Sequence, residues 1–148
     1  MKKVTDQILA YGMWIVDLLL AFWLAFLSRN VLLEILALFY QKESWSYPRW
    51  VVVIDRFYTL MVGLGWLVFM IIVEQYILTG IKKGNLLKRI ARVTGLVLLA
   101  IFAVDLIQVW LQGIGNNSWL RWLILAAELV IGTGMYVFYK SKATSKTL

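Results

Sequence analysis

Four carboxylic side chains, Asp17, Glu74, Asp105 and Glu128, stand inside long apolar stretches of this chain. No lysine or arginine shares their depth. An ionisable group inside a bilayer is costly, so it faces a bundle interior, a water-filled cavity or a partner. Carboxyls held there can carry a proton, bind a cation, act as a general acid/base pair, or serve as hydrogen-bonded structural groups. The chain has no histidine and no cysteine. That removes the commonest metal ligand and general base, the near-neutral pH switch and every thiol nucleophile. Haem held by histidine, zinc sites built from His or Cys, and Ser-His or Cys-His catalysis are excluded from its own residues. No metal and no cofactor is expected.

The neighbours of each acid, at helical spacing, are small or polar. Asp17 shares a face with Ala10, Ala21 and Ser28, and Glu74 with Thr59, Gly63 and Met70. Asp105 lies with Thr94, Gln108 and Gln112 on the most polar face of the chain, and Glu128 with Arg121 and Gly132. Small-and-polar stripes of this kind face other helices rather than lipid. Asp105 and Glu128 flank a short connection at similar distances, so at about 1.5 Å of rise per residue they fall within about 5 Å of the same depth. Asp17 is expected near that layer and Glu74 nearer the cytoplasmic side. Three acids in one low-dielectric layer cannot all be charged without a cation. Gln108 and Gln112 can extend a wetted path outward from Asp105. Arg121, on the face of Glu128 but two turns further out, reaches the layer only partly. The candidate ion- or substrate-binding residues are therefore Asp105, Glu128, Asp17, Glu74, Gln108, Gln112 and Arg121.

The elements that must position them are membrane spans. Hydrophobic residues make up 62% of the 148, against about 45–50% in soluble domains, and mean hydropathy is +0.80. Spans of roughly 20 residues are expected at 8–27, 57–79, 93–112 and 119–139 in a single transmembrane domain. The run from 50 to 57 precedes the second span at headgroup depth, where the Asp55-Arg56 pair belongs. The apolar segment 30–41 is too short to span. It reads as an interfacial or re-entrant helix, with continuation of the first helix as the alternative, and Pro48 ends any helix before it. Residues 141–148 read as a mobile tail. The fold class is all-α: an integral membrane four-helix bundle with that additional helix after the first span.

The net charge of +7 does not point to nucleic acid, because the basic residues flank the apolar runs. Ten of the fifteen lysines and arginines (Lys2, Lys3, Lys82, Lys83, Lys88, Arg89, Arg92, Lys140, Lys142, Lys146) fall on one side, and Arg29, Lys42, Arg49, Arg56 and Arg121 on the other. The positive-inside rule then places both termini in the cytoplasm and the protein in the plasma (inner) membrane. Trp45, Tyr47, Trp50, Trp110, Trp119 and Trp122 belt the outer side; Tyr11, Tyr76, Tyr136 and Tyr139 belt the inner. The basic segment 82–92 is a topology determinant, or a contact for anionic headgroups. A cysteine at Asn116 should label with an impermeant maleimide in intact cells; labelling only after lysis reverses the orientation.

Three function classes follow. The foremost is a non-catalytic accessory or structural subunit of a membrane complex, suited by small size, absent cofactor ligands and an apolar outer segment. The second is a small homo-oligomeric proton- or cation-coupled transporter or channel using the carboxylates. The third is a membrane enzyme acting on a lipidic substrate through a carboxyl pair. The expected partners are membrane lipid and other membrane subunits or further copies of the chain, with no nucleic acid.

Overall fold

The computed structural model describes residues 2–39, 48–113 and 118–144. It consists of four α-helices: α1 (Lys2–Ala37), α2 (Arg49–Lys82), α3 (Leu86–Gln112) and α4 (Trp119–Thr144). Each is long and apolar enough to cross a membrane. No strand occurs among the described residues. Large apolar side chains such as Phe57, Leu64, Ile72, Leu123 and Val130 are exposed along α2 and α4, as a lipid-facing surface requires.

The separate helix expected over 30–41 is not seen. Residues 30–37 continue α1 without a break, and 40–41 lie outside the described residues. The reason is local: no proline or glycine interrupts this stretch, and the Ser28 hydroxyl does not cap a new helix but donates back to the Ala25 carbonyl at 2.8 Å. Likewise α2 starts directly after Pro48, whose fixed φ suits a helix entry. At the other end of the chain, α4 runs on through Thr144, so residues 141–144 of the expected tail are helical, and 145–148 lie outside the described residues.

Interhelix bonds set the register. The Trp14 indole donates to the Met70 carbonyl and the Trp66 indole to the Leu18 carbonyl, both at 3.3 Å. The Arg29 guanidinium grips Asp55 with two bonds, Nε to Oδ1 at 2.7 Å and Nη2 to Oδ2 at 2.8 Å. The pairs climb α1 as they descend α2, so the two helices are antiparallel. At 36 and 34 residues both exceed the roughly 20 that a bilayer needs. Both run past the Arg29–Asp55 clamp at one end of the pair, where Val31 and Val51 are buried. We call this the loop end; it also carries the α3–α4 connection. The terminal end holds the start of α1, the end of α4 and the α2–α3 turn. In that turn Gly84 adopts φ +64°, a left-handed conformation glycine enters without a Cβ penalty.

Helix α3 is central: it packs against α1, α2 and α4, whereas α4 packs against α3 alone. The bundle is thus three packed helices with a fourth attached at one flank. One core cluster joins Ala10, Val73, Ile77, Leu86 and Ile90 near the terminal end; a second joins Leu27, Val97 and Ile101 further along. The α3–α4 contact depends on two glycines. A Cβ on Gly95 would stand 3.1 Å from the Gly132 carbonyl and 3.2 Å from the Tyr136 nitrogen. Backbone meets backbone there, as small residues allow at membrane helix interfaces.

Candidate functional site

At the loop end, polar side chains from three helices make one hydrogen-bonded chain. Glu34, which the continuous α1 carries up beside α3, accepts through Oε1 from Gln108 Nε2 at 3.2 Å and from Gln112 Nε2 at 2.8 Å. Both glutamines stand one turn apart on α3, so one carboxylate oxygen serves both. Gln112 Oε1 in turn accepts from Arg121 Nη1 of α4 at 2.7 Å. Arg121 Nη2 then approaches Asp105 Oδ1 at 3.5 Å. That last contact is long for a charge-assisted bond, so Gln112 and not Asp105 is the firmer partner of Arg121. Glu128 lies close enough to Asp105 for their charges to interact. Its Oε2 atom is buried with no hydrogen-bond partner among the described residues, as is Oε2 of Glu34.

Asp17 forms a different station. Its side chain is fully buried, and Oδ1 accepts from the Thr94 hydroxyl at 2.7 Å. Oδ2 has no partner among the described residues. Thr94 and Asp105 are eleven residues apart on α3, about 16 Å along its axis. The buried Val97 and Ile101 occupy that interval and pack on Leu27. Asp17 therefore does not join the layer of Asp105 and Glu128. Glu74, half-buried on α2, belongs to neither group.

The structure thus brings together Asp105, Glu128, Gln108, Gln112 and Arg121, and separates Asp17 and Glu74 from them. Two residues escaped the sequence reading. Glu34 lies in the segment that reads as an interfacial helix or a continuation of the first, and its link to the glutamines needs the parallel register of α1 and α3, which no local pattern encodes. Asp55 was paired with its neighbour Arg56, yet its partner is Arg29. A signal for that pair exists: Arg29 and Asp55 lie at similar distances from the α1–α2 connection, as facing residues of an antiparallel hairpin must.

No group of three metal-ligating side chains occurs among the described residues. The groove between α1 and α2, about 250 Å³ and lined by Phe22, Phe26, Arg29, Tyr58 and Trp66 among others, contains none of the four acids. What the arrangement can do chemically is hold helices together through neutral and charged hydrogen bonds.

These features define a class: a small all-helical protein with four potential membrane-spanning helices and a polar network at one end. Comparison with protein-family models, with curated proteins and with solved structures finds no match for this chain.

Proposed function

We propose that this protein is a non-catalytic accessory or structural subunit of a larger membrane complex. It would sit in the plasma (inner) membrane with both termini on the cytoplasmic side. The observation that carries this reading is the use the chain makes of its ionisable groups. Asp55 clamps α2 to α1, Asp17 ties α1 to α3, and the Glu34–Gln112–Arg121 chain ties α1, α3 and α4. They brace the helices. Moreover, Thr94 and Asp105 stand about 16 Å apart along α3, with the buried Val97 and Ile101 packed on Leu27 between them, so the two stations share no hydrogen bond among the described residues. The attachment of α4 through α3 alone also supports a chain whose packing is completed by other membrane proteins.

Purification in a mild detergent, with light scattering and mass spectrometry of co-purifying chains, tests it. A stoichiometric foreign membrane protein is the expected result. A clean monomer or homo-oligomer counts against it.

One observation favours a second reading, a proton- or cation-coupled carrier: Asp105 and Glu128 lie within electrostatic reach of one another. On that reading Glu128→Gln and Asp105→Asn each abolish cation-dependent flux in proteoliposomes. Unchanged flux in both variants eliminates it and leaves the structural role.

A further inference from the structure

At the terminal end, two arginines of α3 are held in place without a carboxylate. Arg89 Nη1 donates to the Tyr76 backbone carbonyl at 2.7 Å, and its guanidinium carbon lies 4.5 Å from the centre of the Tyr76 ring. Arg92 Nη1 donates to the Tyr76 hydroxyl at 3.4 Å and to the Tyr139 hydroxyl at 3.2 Å, and its guanidinium carbon lies 5.0 Å from the centre of the Tyr139 ring. Arg92 is exposed and bridges α2 and α4, which do not pack against each other. Neither Arg89 nor Arg92 takes part in the Arg29–Asp55 or the Arg121–Asp105 ion pair. Two like charges share one tyrosine, and both are ordered by neutral acceptors that leave their charge uncompensated.

Such a pair of guanidinium groups favours an anion, and its position narrows the choice. Arg92 lies six residues into α3, about 9 Å from its start, level with the interfacial tyrosines. Lys82 and Lys83 are exposed in the adjoining turn. Each tyrosine hydroxyl that accepts from Arg92 keeps its own hydrogen to donate. A guanidinium flanked by two hydroxyl donors matches the oxygens of a phosphodiester. Toward the membrane interior the exposed surface of α3 continues through Leu96, 48% exposed, as an apolar floor between the two separated helices. A free phosphate has no use for that floor; an acyl chain does. We propose that Arg92, with Arg89, Tyr76 and Tyr139, binds the phosphate of an anionic glycerophospholipid in the leaflet at the terminal end.

The test uses the full chain, delipidated in detergent and titrated with short-chain phosphatidylglycerol, phosphatidylcholine or inorganic phosphate. Phosphatidylglycerol should bind at least about tenfold more tightly than phosphatidylcholine, and Arg92→Gln should weaken it by about tenfold, the scale of a charge-assisted hydrogen bond. The double variant Lys82→Gln/Lys83→Gln removes more charge and should cost less than about twofold, because diffuse attraction is not the mechanism. Should Arg92→Gln fail to fold, Tyr139→Phe carries the same test, since it keeps the ring and removes only the hydroxyl. The proposal is overturned by wild-type affinity in Arg92→Gln or in Tyr139→Phe. It is equally overturned by a loss in the lysine variant as large as in Arg92→Gln, by equal binding of the two lipids, or by displacement of the lipid by equimolar inorganic phosphate.

Discussion

Leucine in place of Gly95 should detach α4 from the rest of the molecule. A Cβ at this position already stands 3.1 Å from the Gly132 carbonyl oxygen and 3.2 Å from the Tyr136 nitrogen. Those are main-chain atoms, which cannot rotate aside as a side-chain tip would. Overpacking a core costs about 1–3 kcal/mol where neighbours can shift, and here the shift is a whole helix. Because α4 packs against α3 alone among the described helices, only polar bonds toward its two ends, Arg121 to Gln112 and Arg92 to Tyr139, would remain to hold it. We expect a loss of about 3 kcal/mol on this scale, with Gly95→Ala intermediate. Gly134, two residues beyond Gly132 and with nothing near its would-be Cβ, supplies the control: Gly134→Leu should stay within about 0.5 kcal/mol of wild type. The readout is a bifunctional maleimide bridging cysteines at positions 92 and 139 in a chain that has none of its own. Full bridging in the Gly95→Leu protein would show that this contact does not hold α4.

The second large effect concerns Asp17 and Thr94. Thr94→Val should destabilise by about 1–3 kcal/mol, because it strips the hydroxyl donor from a fully buried carboxyl and leaves the desolvation cost in place. Replacing both, as Asp17→Leu/Thr94→Val, should restore most of that loss, since an apolar pair carries no unsatisfied group. The cycle, measured by denaturant titration in mixed micelles, should give a coupling well above the error of distant sites, about 0.3–0.5 kcal/mol. Additive losses would mean that the two side chains do not act together. The double variant also separates fold from function: a stable protein that has lost its activity would make Asp17 more than a brace.

Several features of this molecule were legible in the residues alone. Each of the four long apolar runs must be a helix, because a lipid-exposed backbone satisfies its polar groups only within its own segment. The small-and-polar faces around Asp17 and Asp105 mark sides turned toward other helices, since both acids are buried; the stripe of Glu74 does not, because Thr59 and Gly63 on it are exposed. The grouping of Asp105 with Gln108, Gln112 and Arg121 was also readable. Those residues lie on two helices joined by a short connection, and local spacing plus an antiparallel hairpin is enough to align them.

Contacts between helices distant in sequence were not readable. Depth estimates put Asp17 with Asp105, yet α1 rides on α3 so that Asp17 meets Thr94 and Glu34 meets the glutamines. A parallel pair separated by a whole intervening helix has no turn to set its register, so side-chain packing decides it. The end of α1 divides the same way: nothing local breaks the helix over 30–37, so the sequence leaves its continuation open as an alternative, but that Glu34 lies against the glutamines of α3 is decided by packing. Composition and periodicity thus determined the number of helices, their rough limits and the faces they bury, because those depend on each segment's own interaction with lipid and water. Which face meets which, at what height, and that α4 is held by α3 alone, were decided by the tertiary structure, where glycine contacts and paired polar groups select one register among several that lipid exposure leaves equivalent.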